Sequence, residues 1–337
     1  NPITVARNGL GRNNLLYLAL VLSQLAKPTN IAAGDDAFVC FRLIGIEEPE
    51  AHLHPHLQDH LARNIEDIRK EYANSLQLVL TSHATHVSTK LSLENTVALF
   101  RRDSDGSLAA HYVLDGIDPA KDKNAVRFLK LYLDATKSRM FFARRLILVE
   151  GIAEQVLIPI LFEQSTIQTL ESIGCAIINV NGVAFRHFLT IVKNGFFKKC
   201  VVLTDSDSGT KTENRADSLW VDFKDMSHID IQVTVESTFE KDLISSNRSG
   251  DGKEILFNAL AMTKPSNGPK LRVATGANDI DAESFFAEIK DYKAEFAFSL
   301  MSVLKDEHES TKKENRSPKK LAIPNYISKA FDFIKEQ

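Results

Sequence analysis

Short apolar runs rich in β-branched residues alternate along the chain with longer stretches in which apolar positions recur every three or four residues. The short runs, bounded by glycine or acidic residues, predict buried parallel strands, and the longer spacing predicts amphipathic helices. Such alternation is typical of an α/β fold. The predicted strands span 39–46, 76–81, 145–150, 175–180, 200–205 and 230–236, and the predicted helices span 13–25, 55–72, 123–135, 153–163 and 184–194.

Two further features of the pattern concern a hairpin and the C-terminal region. Apolar runs at 96–101 and 109–114 flank the turn sequence DSDG at 103–106, which predicts a β-hairpin. From about residue 250 the pattern is mainly helical. The segment 306–320 is highly charged and poor in apolar residues, so it is expected to form a mobile loop.

Composition limits the classes of protein that the chain can represent. At 337 residues, with 44% apolar and 25% charged residues, it is long enough for two domains with ordinary soluble composition. A net charge of −3 neither indicates nor excludes nucleic-acid binding. The cysteines Cys40, Cys175 and Cys200 lie far apart, without zinc or disulfide spacing, so reduced core cysteines in a cytoplasmic protein are expected.

No apolar run is long enough to span a bilayer and no secretory segment is visible, so no membrane partner is predicted. The chain begins at Asn1 without a methionine and almost immediately enters a motif. We therefore expect it to be part of a longer protein.

Carboxylates follow two of the predicted strands. Glu150 and Glu154 follow the strand at 145–150, and Asp205 and Asp207 follow the strand at 200–205. The carboxyl ends of parallel strands are where sites collect in open α/β sheets. Four acids converging there would repel one another unless a cation lay among them. Oxygen ligands favour Mg²⁺ or Mn²⁺, so the sequence predicts a divalent-metal site.

The spacing of these acids supports the same hypothesis. A helix beginning after Glu150 carries Glu154 back toward it, and Asp205 and Asp207 alternate along an extended segment with Ser206 pointing away. Gly151 and Gly209 would permit tight backbone there. Two-metal phosphoryl-transfer sites use such acid clusters. The alternative is that Glu150 is a surface strand end and the Asp-Ser-Asp segment an Asx turn.

A second acidic strand end lies in the N-terminal region. The segment 43–55, LIGIEEPEAHLHP, ends an apolar strand in Glu47 and Glu48, an arrangement that can hold a nucleotide's Mg²⁺ and polarise a water. His83 follows the next strand, where it could contact a γ-phosphate. Upstream, glycines in NGLGRNNLL at 8–16 precede a helix N-terminus suited to an anion. The alternative is an acidic turn before a helix.

The run IEEPEAHLHP followed by LTSHA resembles the Walker B, D-loop and switch-histidine segments of SMC-like ABC ATPases, and NGLGRNNLL resembles their signature motif. The resemblance implies that Glu47 is the Mg²⁺-side acid, Glu48 the catalytic base and His83 the γ-phosphate sensor. The family usually has Asp at the Glu47 position. No G-x-x-x-x-G-K-[ST] motif occurs in the chain, so ATP hydrolysis requires a phosphate-binding loop expected upstream.

The acid motifs after 145 resemble a Toprim domain, and an SMC-like ATPase part followed by Toprim resembles the OLD (overcoming lysogenization defect) family, which includes Gabija-type nuclease subunits. The resemblance to the OLD family implies a partial ATPase domain at 1–140, a Rossmann-like Toprim core at 141–249 and a helical extension at 250–337. TFEKDL at 238–243 resembles the family's second-metal segment, making Glu240 a ligand and Glu236 and Asp242 weaker candidates. Lys293 resembles the lysine that steadies the scissile phosphate.

The family resemblance implies a two-metal DNA endonuclease or nickase in phage defence or DNA processing, with Glu150, Glu154, Asp205, Asp207 and Glu240 as metal ligands and an ATPase that regulates cleavage. It also implies homodimers or larger homo-oligomers, with room for a helicase-like partner. The alternatives are another Toprim enzyme, such as a primase or topoisomerase relative, and a non-cleaving ATP-gated DNA-binding protein. Candidate contacts to the DNA backbone are Lys198, Lys199, Lys211, Arg215, Lys312, Lys313, Lys319 and Lys320.

Overall fold

The fold is known from a computed structural model of the chain. It describes residues 9–26, 42–102, 104–118, 122–133, 136–182, 185–193, 196–207, 214–314 and 316–336. The chain divides into two compact units, one formed by Asn1–Gly116 with Val126–Phe142 and the other by Ile117–Ala125 with Ala143–Gln337. Each unit is described by itself.

The N-terminal region combines helices with two small sheets. Strands β1 and β2 pair in parallel, and β3 and β4 form the predicted antiparallel hairpin. Leu18 and Leu22 of the first helix pack with Ile46 at the end of β1 and with Leu61 and Ile65. The elements are α1 (Leu10–Ala26), β1 (Arg42–Glu47), α2 (Pro55–Glu71), β2 (Leu76–Thr81), α3 (Thr85–Ser88), β3 (Val97–Arg101), β4 (Leu108–Tyr112) and α4 (Lys123–Tyr132).

The second unit is built on a four-stranded sheet in the order β6-β5-β7-β8, and every neighbouring pair is parallel. Because the chain crosses from β5 to β6 on one side and then returns to β7 on the other, the connections reverse direction between β5 and β7. Ligand sites form beyond the strand ends at such a reversal. The elements are β5 (Arg145–Val149), α5 (Ile152–Thr166), β6 (Cys175–Asn179), α6 (Phe185–Val192), β7 (Lys199–Thr204), α7 (Arg215–Phe223) and β8 (Ile229–Val233).

The C-terminal helices share a core with this sheet. Leu256, Leu300 and Phe331 are buried in one cluster with Ile147 and Val201 of the central strands. Asn247 fixes the segment before the last helix, since its side chain exchanges hydrogen bonds of 2.8 Å and 2.7 Å with the backbone of Ala322. The helices are α8 (Phe239–Ser246), α9 (Gly250–Thr263), α10 (Gly268–Thr275), α11 (Ala282–Ile289), α12 (Lys293–Glu314) and α13 (Asn325–Lys335).

The expectation of a mobile loop at 306–320 is wrong for its first part, because α12 continues to Glu314. Glu and Lys are good helix formers, so the segment's low apolar content reflects a solvent-facing helix rather than a loop. The helix is anchored on one side by Leu304 and by the buried Thr311. Arg316, just beyond its end, pairs with Glu307 at 2.6 Å.

The predicted α/β fold class is confirmed, and the predicted strands agree with the observed ones to within a few residues. Cys175 and Cys200 are free and buried in strands, as expected, while Cys40 lies outside the described residues. Helix α7 was not predicted. None of the helices in the described ranges combines the length and apolar character needed to cross a bilayer.

Candidate active site

The carboxyl ends of β5 and β7 are tied together at the reversal of the sheet. Val149 pairs with Leu203 in the strand register, so Glu150 and Thr204 come next to each other. The Thr204 hydroxyl donates to Glu150 Oε2 at 3.2 Å, and the backbone N–H of Asp205 donates to the same oxygen at 3.4 Å. The two predicted acid motifs therefore meet at one edge.

Glu154 lies in the first turn of α5 and is 6% exposed. Burial raises its pKa to about 8, and the nearby charges of Asp205, Glu240 and Glu150 act in the same direction. A Cβ atom at position 151 would come within 3.0 Å of Glu154 Oε2, so Gly151 leaves room for this carboxyl group. The backbone of Gly151 is extended, so its role here is to leave space for a side chain, and tight backbone at a bound metal stays a prediction.

Asp205 follows β7 directly and links the sheet to α8. Its Oδ1 accepts a hydrogen bond of 2.8 Å from the backbone N–H of Phe239, the first residue of that helix. Burial is the largest cause that raises the Asp205 pKa to about 7, and the charges of Glu150 and Glu240 raise it further. The hydrogen bond from the Phe239 N–H and the charge of Lys293 lower it. Glu150 and Glu240, which would share a bound cation with Asp205, thus favour the protonated form of Asp205 when no cation is present.

Glu240 and Lys293 form an ion pair in which Lys293 Nζ lies 2.7 Å from Glu240 Oε2. Glu240 is in the first turn of α8 and 6% exposed, whereas Lys293 begins α12. The Lys293 ammonium also lies 5.6 Å from the centre of the Phe286 ring. Two residues placed at the site by family resemblance are therefore brought together from separate helices.

Asp207 departs from the predicted extended geometry. Its φ of 51° is in the left-handed region, which is uncommon for a residue with a side chain. Ser206 does turn away, because its N–H donates to Thr234 Oγ1 at 2.8 Å and its hydroxyl donates to the Glu236 carbonyl at 2.8 Å. The turn directs Asp207 toward Arg215, whose Nη2 lies 3.0 Å from Asp207 Oδ2.

Arg215 also lies beside the acids at the ends of β5 and β7, and the sequence did not predict this position. It was a candidate for DNA-backbone contact, but its Nη2 donates to Glu150 Oε2 at 2.7 Å. Of the other basic candidates, Lys199 pairs with Glu336 at 2.9 Å and Lys319 pairs with Glu254. Gly209, Lys211 and the Lys312 side chain lie outside the described residues.

Asp242 has a backbone-binding role. Its Oδ2 accepts from the Val235 N–H at 2.7 Å and its Oδ1 accepts from the Glu236 N–H at 3.0 Å. Both oxygens thus hold the segment between β8 and α8. Glu236 is exposed and its Oε1 accepts from Ser245 Oγ at 3.4 Å. That either residue binds a second metal stays a prediction.

We expect Asp242→Asn to destabilise the protein, because the amide that replaces one oxygen cannot accept from a backbone N–H. A hydrogen bond to a charged group contributes about 1.5–3 kcal/mol, so a loss of about 2 kcal/mol in the free energy of unfolding is expected in urea denaturation. The exposed neighbour gives the matched control, and Glu236→Gln should change stability by less than about 0.5 kcal/mol. Equal stability of both variants would contradict the role given to Asp242.

Tyr326 of α13 is a further residue near the acids. It is 5% exposed, and burial raises its pKa well above the usual value, with added effects from the charges of Glu154, Asp242 and Asp205. No motif around it marks the position in the sequence. Its proximity shows that the last helix closes one side of the acid cluster.

The donor set suits a hard divalent cation, since carboxylate oxygens are preferred by Mg²⁺ and Mn²⁺. Burial is the largest cause of the raised pKa values of Glu154 and Asp205, and the charges of the neighbouring acids add to it; a bound cation would favour the charged forms. Within the described part of the chain, no three Asp, Glu, His or Cys side chains already converge closely enough to hold one ion.

The predicted ATPase residues form a separate group in the first unit. Glu47 ends β1, and Glu48 has a left-handed φ of 42°. His83 Nε2 lies 3.3 Å from Glu48 Oε1, so the predicted base and sensor are in contact. Glu50, which the sequence did not single out, is 7% exposed, and its Oε1 accepts from Ser82 Oγ at 2.6 Å and from the His83 N–H at 3.1 Å.

The glycine-containing segment also packs closely in this unit. Helix α1 begins at Leu10, directly after Gly9, three residues before the predicted start at residue 13. Gly11 therefore lies inside the helix and not before it as predicted, and residue 8 lies outside the described residues. A Cβ atom at position 11 would lie only 2.3 Å from the His52 carbonyl oxygen. Gly11 is therefore required for contact between α1 and the turn that follows Glu48.

Comparison with protein-family models gives two matches. Residues 141–207 match the model described as overcoming lysogenization defect protein-like, TOPRIM domain. Residues 141–207 are therefore similar to OLD-like TOPRIM domains. Residues 1–87 match an AAA ATPase domain. The resemblance to OLD-type proteins is thereby confirmed. The TOPRIM match contains Glu150, Glu154, Asp205 and Asp207.

Curated relatives include nucleases of this type. The chain is 26% identical over 219 residues to the endonuclease GajA of Bacillus cereus (strain HuB5-5), covering 59% of this chain and 30% of that protein. It is 26% identical over 178 residues to the OLD nuclease of Thermus scotoductus (strain ATCC 700910 / SA-01), covering 50% and 33%. The chain therefore spans about a third of the length of these relatives.

Among solved structures, the C-terminal region of the Burkholderia pseudomallei OLD protein matches 58% of this chain and 98% of its own, with 21% identity and a TM-score of 0.40. The corresponding region of the Xanthomonas campestris pv. campestris OLD protein covers 58% of this chain and 94% of its own, with the same identity and TM-score.

Proposed function

We propose that this chain is the nuclease-bearing part of an OLD-type protein and hydrolyses phosphodiester bonds of DNA with a divalent metal. The observation that carries the proposal is the proximity of Glu150, Glu154, Asp205 and Glu240 at the reversal point of a parallel sheet, where the other acids add to the raised pKa values of Glu154 and Asp205. Their shared charge and burial suit a cation, and Glu150, Glu154 and Asp205 lie in the region that matches the OLD-like TOPRIM model. Relatives of the chain are named as nucleases.

Each residue has a distinct part in the proposed chemistry. Glu150, Glu154, Asp205 and Asp207 would hold one or two ions, with Glu240 supplying an oxygen on the α8 side. A bound divalent ion supplies Lewis acidity that lowers the pKa of a water and offsets charge on the phosphate. Lys293 has three donors and uses one described contact to Glu240, so it can also donate to a phosphate oxygen near the acids.

The position of Tyr326 favours hydrolysis over a topoisomerase reaction. A topoisomerase attacks DNA with a tyrosine oxygen, which requires access and a phenol that ionises readily. Tyr326, the tyrosine whose pKa the site acids influence, is 5% exposed and its pKa is raised well above the usual value. Water is therefore the nucleophile that suits this site.

The AAA-matching region suits regulation of cleavage. In the proposal, Glu47, Glu48 and His83 belong to a nucleotide site completed by a phosphate-binding loop outside this chain, with homodimers or larger oligomers bringing the parts together. The protein would act in the cytoplasm, in phage defence or DNA processing. The matched region of the first unit and the contact of His83 with Glu48 support this part of the proposal.

Nicking of supercoiled plasmid tests the nuclease function. The chain should convert the plasmid to open circles with Mg²⁺ or Mn²⁺ and should lose this activity in EDTA. Asp205→Asn should reduce the nicking rate by at least about 100-fold, because it replaces a negatively charged carboxylate ligand of the proposed metal by a neutral amide. Metal-dependent nicking that survives in Asp205→Asn would show that the activity comes from elsewhere.

A further inference from the structure

Arg215 lies at the acid cluster rather than on the open surface. Its Nη2 is 2.7 Å from Glu150 Oε2, 3.0 Å from Asp207 Oδ2 and 3.3 Å from Thr204 Oγ1. One nitrogen thus touches oxygens that follow both central strands. The Arg215 side chain is 15% exposed, and the two carboxylates it contacts are about as buried, at 20% and 21%.

The guanidinium occupies space that a bound cation would need. Arginine keeps its charge at any pH at which the protein is folded, so this positive charge leaves Glu150 and Asp207 only if the side chain moves. A divalent ion bound by the same oxygens would lie within a few ångströms of the guanidinium, and like charges at that distance repel strongly in a half-buried site. Arg215 in this position and a metal bound to Glu150 Oε2 and Asp207 Oδ2 would therefore compete for the same two oxygens.

The way in which Arg215 is held favours displacement. All of its contacts with described residues use Nη2, while its Nε is buried and has no hydrogen-bond partner among the described residues. Arg69 shows the contrasting arrangement, because its Nε and Nη2 bind both oxygens of Glu66 at 2.8 Å and 2.7 Å. The Arg215 Nη2 has two N–H groups for three oxygens, so these contacts cannot all be linear hydrogen bonds, whereas the fork of Arg69 gives each carboxylate oxygen its own N–H.

We infer that Arg215 is a displaceable counter-ion. It neutralises Glu150 and Asp207 in the metal-free protein and moves out when a divalent ion binds to them. The inference rests on the proposed metal-dependent function but concerns a separate event, the exchange of one cation for another. After exchange, the guanidinium remains tethered at the start of α7, where a substrate phosphate is its natural partner.

Competition of this kind has a measurable consequence for metal binding. Mn²⁺ titration calorimetry of the 337-residue chain should show tighter binding in Arg215→Gln than in the original protein, by about tenfold, because metal no longer displaces a charge-assisted hydrogen bond. Gln keeps donor groups and similar length, which protects folding. Arg215→Lys retains a competing charge and should bind Mn²⁺ much more like the original protein.

Arg186 provides a matched control in the same unit. It donates to Ser218 Oγ at 2.9 Å and pairs with Asp222, both on α7, and neither partner is one of the site acids. Arg186→Gln should leave Mn²⁺ affinity unchanged. In EDTA, Arg215→Gln should also lower the melting temperature more than Arg186→Gln does, since it leaves two neighbouring acids without their shared cation.

The outcomes separate this inference from the proposed nuclease function. Unchanged or weaker Mn²⁺ binding in Arg215→Gln, together with metal-dependent nicking by the original protein, overturns the inference alone. Tighter binding in Arg215→Gln, with no nicking by the original protein, supports the exchange of cations and overturns the nuclease. If neither protein binds Mn²⁺, both are overturned.

Discussion

Replacing Glu154 by Gln should nearly abolish nicking while making the metal-free protein more stable. Gln is neutral at every pH and has almost the same shape, so the substitution removes a buried carboxylate that Asp205, Glu240 and Glu150 disfavour. The substitution also removes one carboxylate ligand from the proposed metal site. We expect at least about a 100-fold lower nicking rate and a higher urea midpoint at pH 8 in EDTA.

The same helix supplies the control for this experiment. Glu163 lies on the exposed side of α5, and Glu163→Gln removes the same chemical group from the same element. It should alter neither nicking nor the urea midpoint beyond experimental error. A Glu154→Gln variant that is both less active and less stable than Glu163→Gln would indicate a structural rather than a metal-binding carboxyl group.

The stability of the metal-free protein should fall as pH rises from about 5 to about 8. The pKa of Glu154 rises from 4.5 to about 8 on folding, and that of Asp205 from 3.8 to about 7. Both groups bind more protons in the folded state, so their contribution is present at low pH and is lost as pH passes through the folded pKa. Glu94 and Glu307 act oppositely, but their folded pKa values of about 2 place that effect below pH 4.5. Burial lowers the pKa of His187 from 6.5, which opposes the fall within this range, but two large carboxyl shifts outweigh this single smaller one.

Urea denaturation in EDTA at several pH values measures this slope directly. Adding Mg²⁺ should restore stability mainly at the alkaline end, because the cation favours the charged carboxylates that destabilise the metal-free fold. Glu154→Gln should flatten the slope, whereas Glu163→Gln should retain it. A metal-free stability that rises between pH 5 and pH 8 would refute the burial-driven pKa shifts.

The α/β fold was predictable because buried strands and amphipathic helices each leave a short-range pattern in the chain. The strand at 145–150 illustrates this, since its observed counterpart, Arg145–Val149, is buried throughout its apolar part. The charged segment at 306–314 shows the limit of such patterns. Helix α12 continues through this segment because a side chain packs against the core every few residues, as Leu304 and Thr311 do. A count of apolar residues does not detect such sparse contacts.

Some residues of the candidate site could also be predicted from local sequence patterns, whereas others could not. The acids at the ends of β5 and β7 were visible because each follows a strand directly, and parallel strands end at one edge. Glu240 and Lys293 were placed by family resemblance, and their 2.7 Å contact depends on two helices packed in the fold. Tyr326 carried no motif, because its position near the acids arises from the packing of α13 against β7 and β8.

The sequence by itself determined the α/β class, the strand ends that carry Glu150, Glu154, Asp205 and Asp207, and the paired acids and histidine of the ATPase-like region. Only the tertiary structure decided which charges meet. Arg215 was one basic residue among many in the sequence, yet the left-handed turn at Asp207 and the start of α7 bring it onto two carboxylates. Local patterns record burial and spacing, whereas charge pairing between separate elements depends on long-range packing that no short stretch of sequence contains.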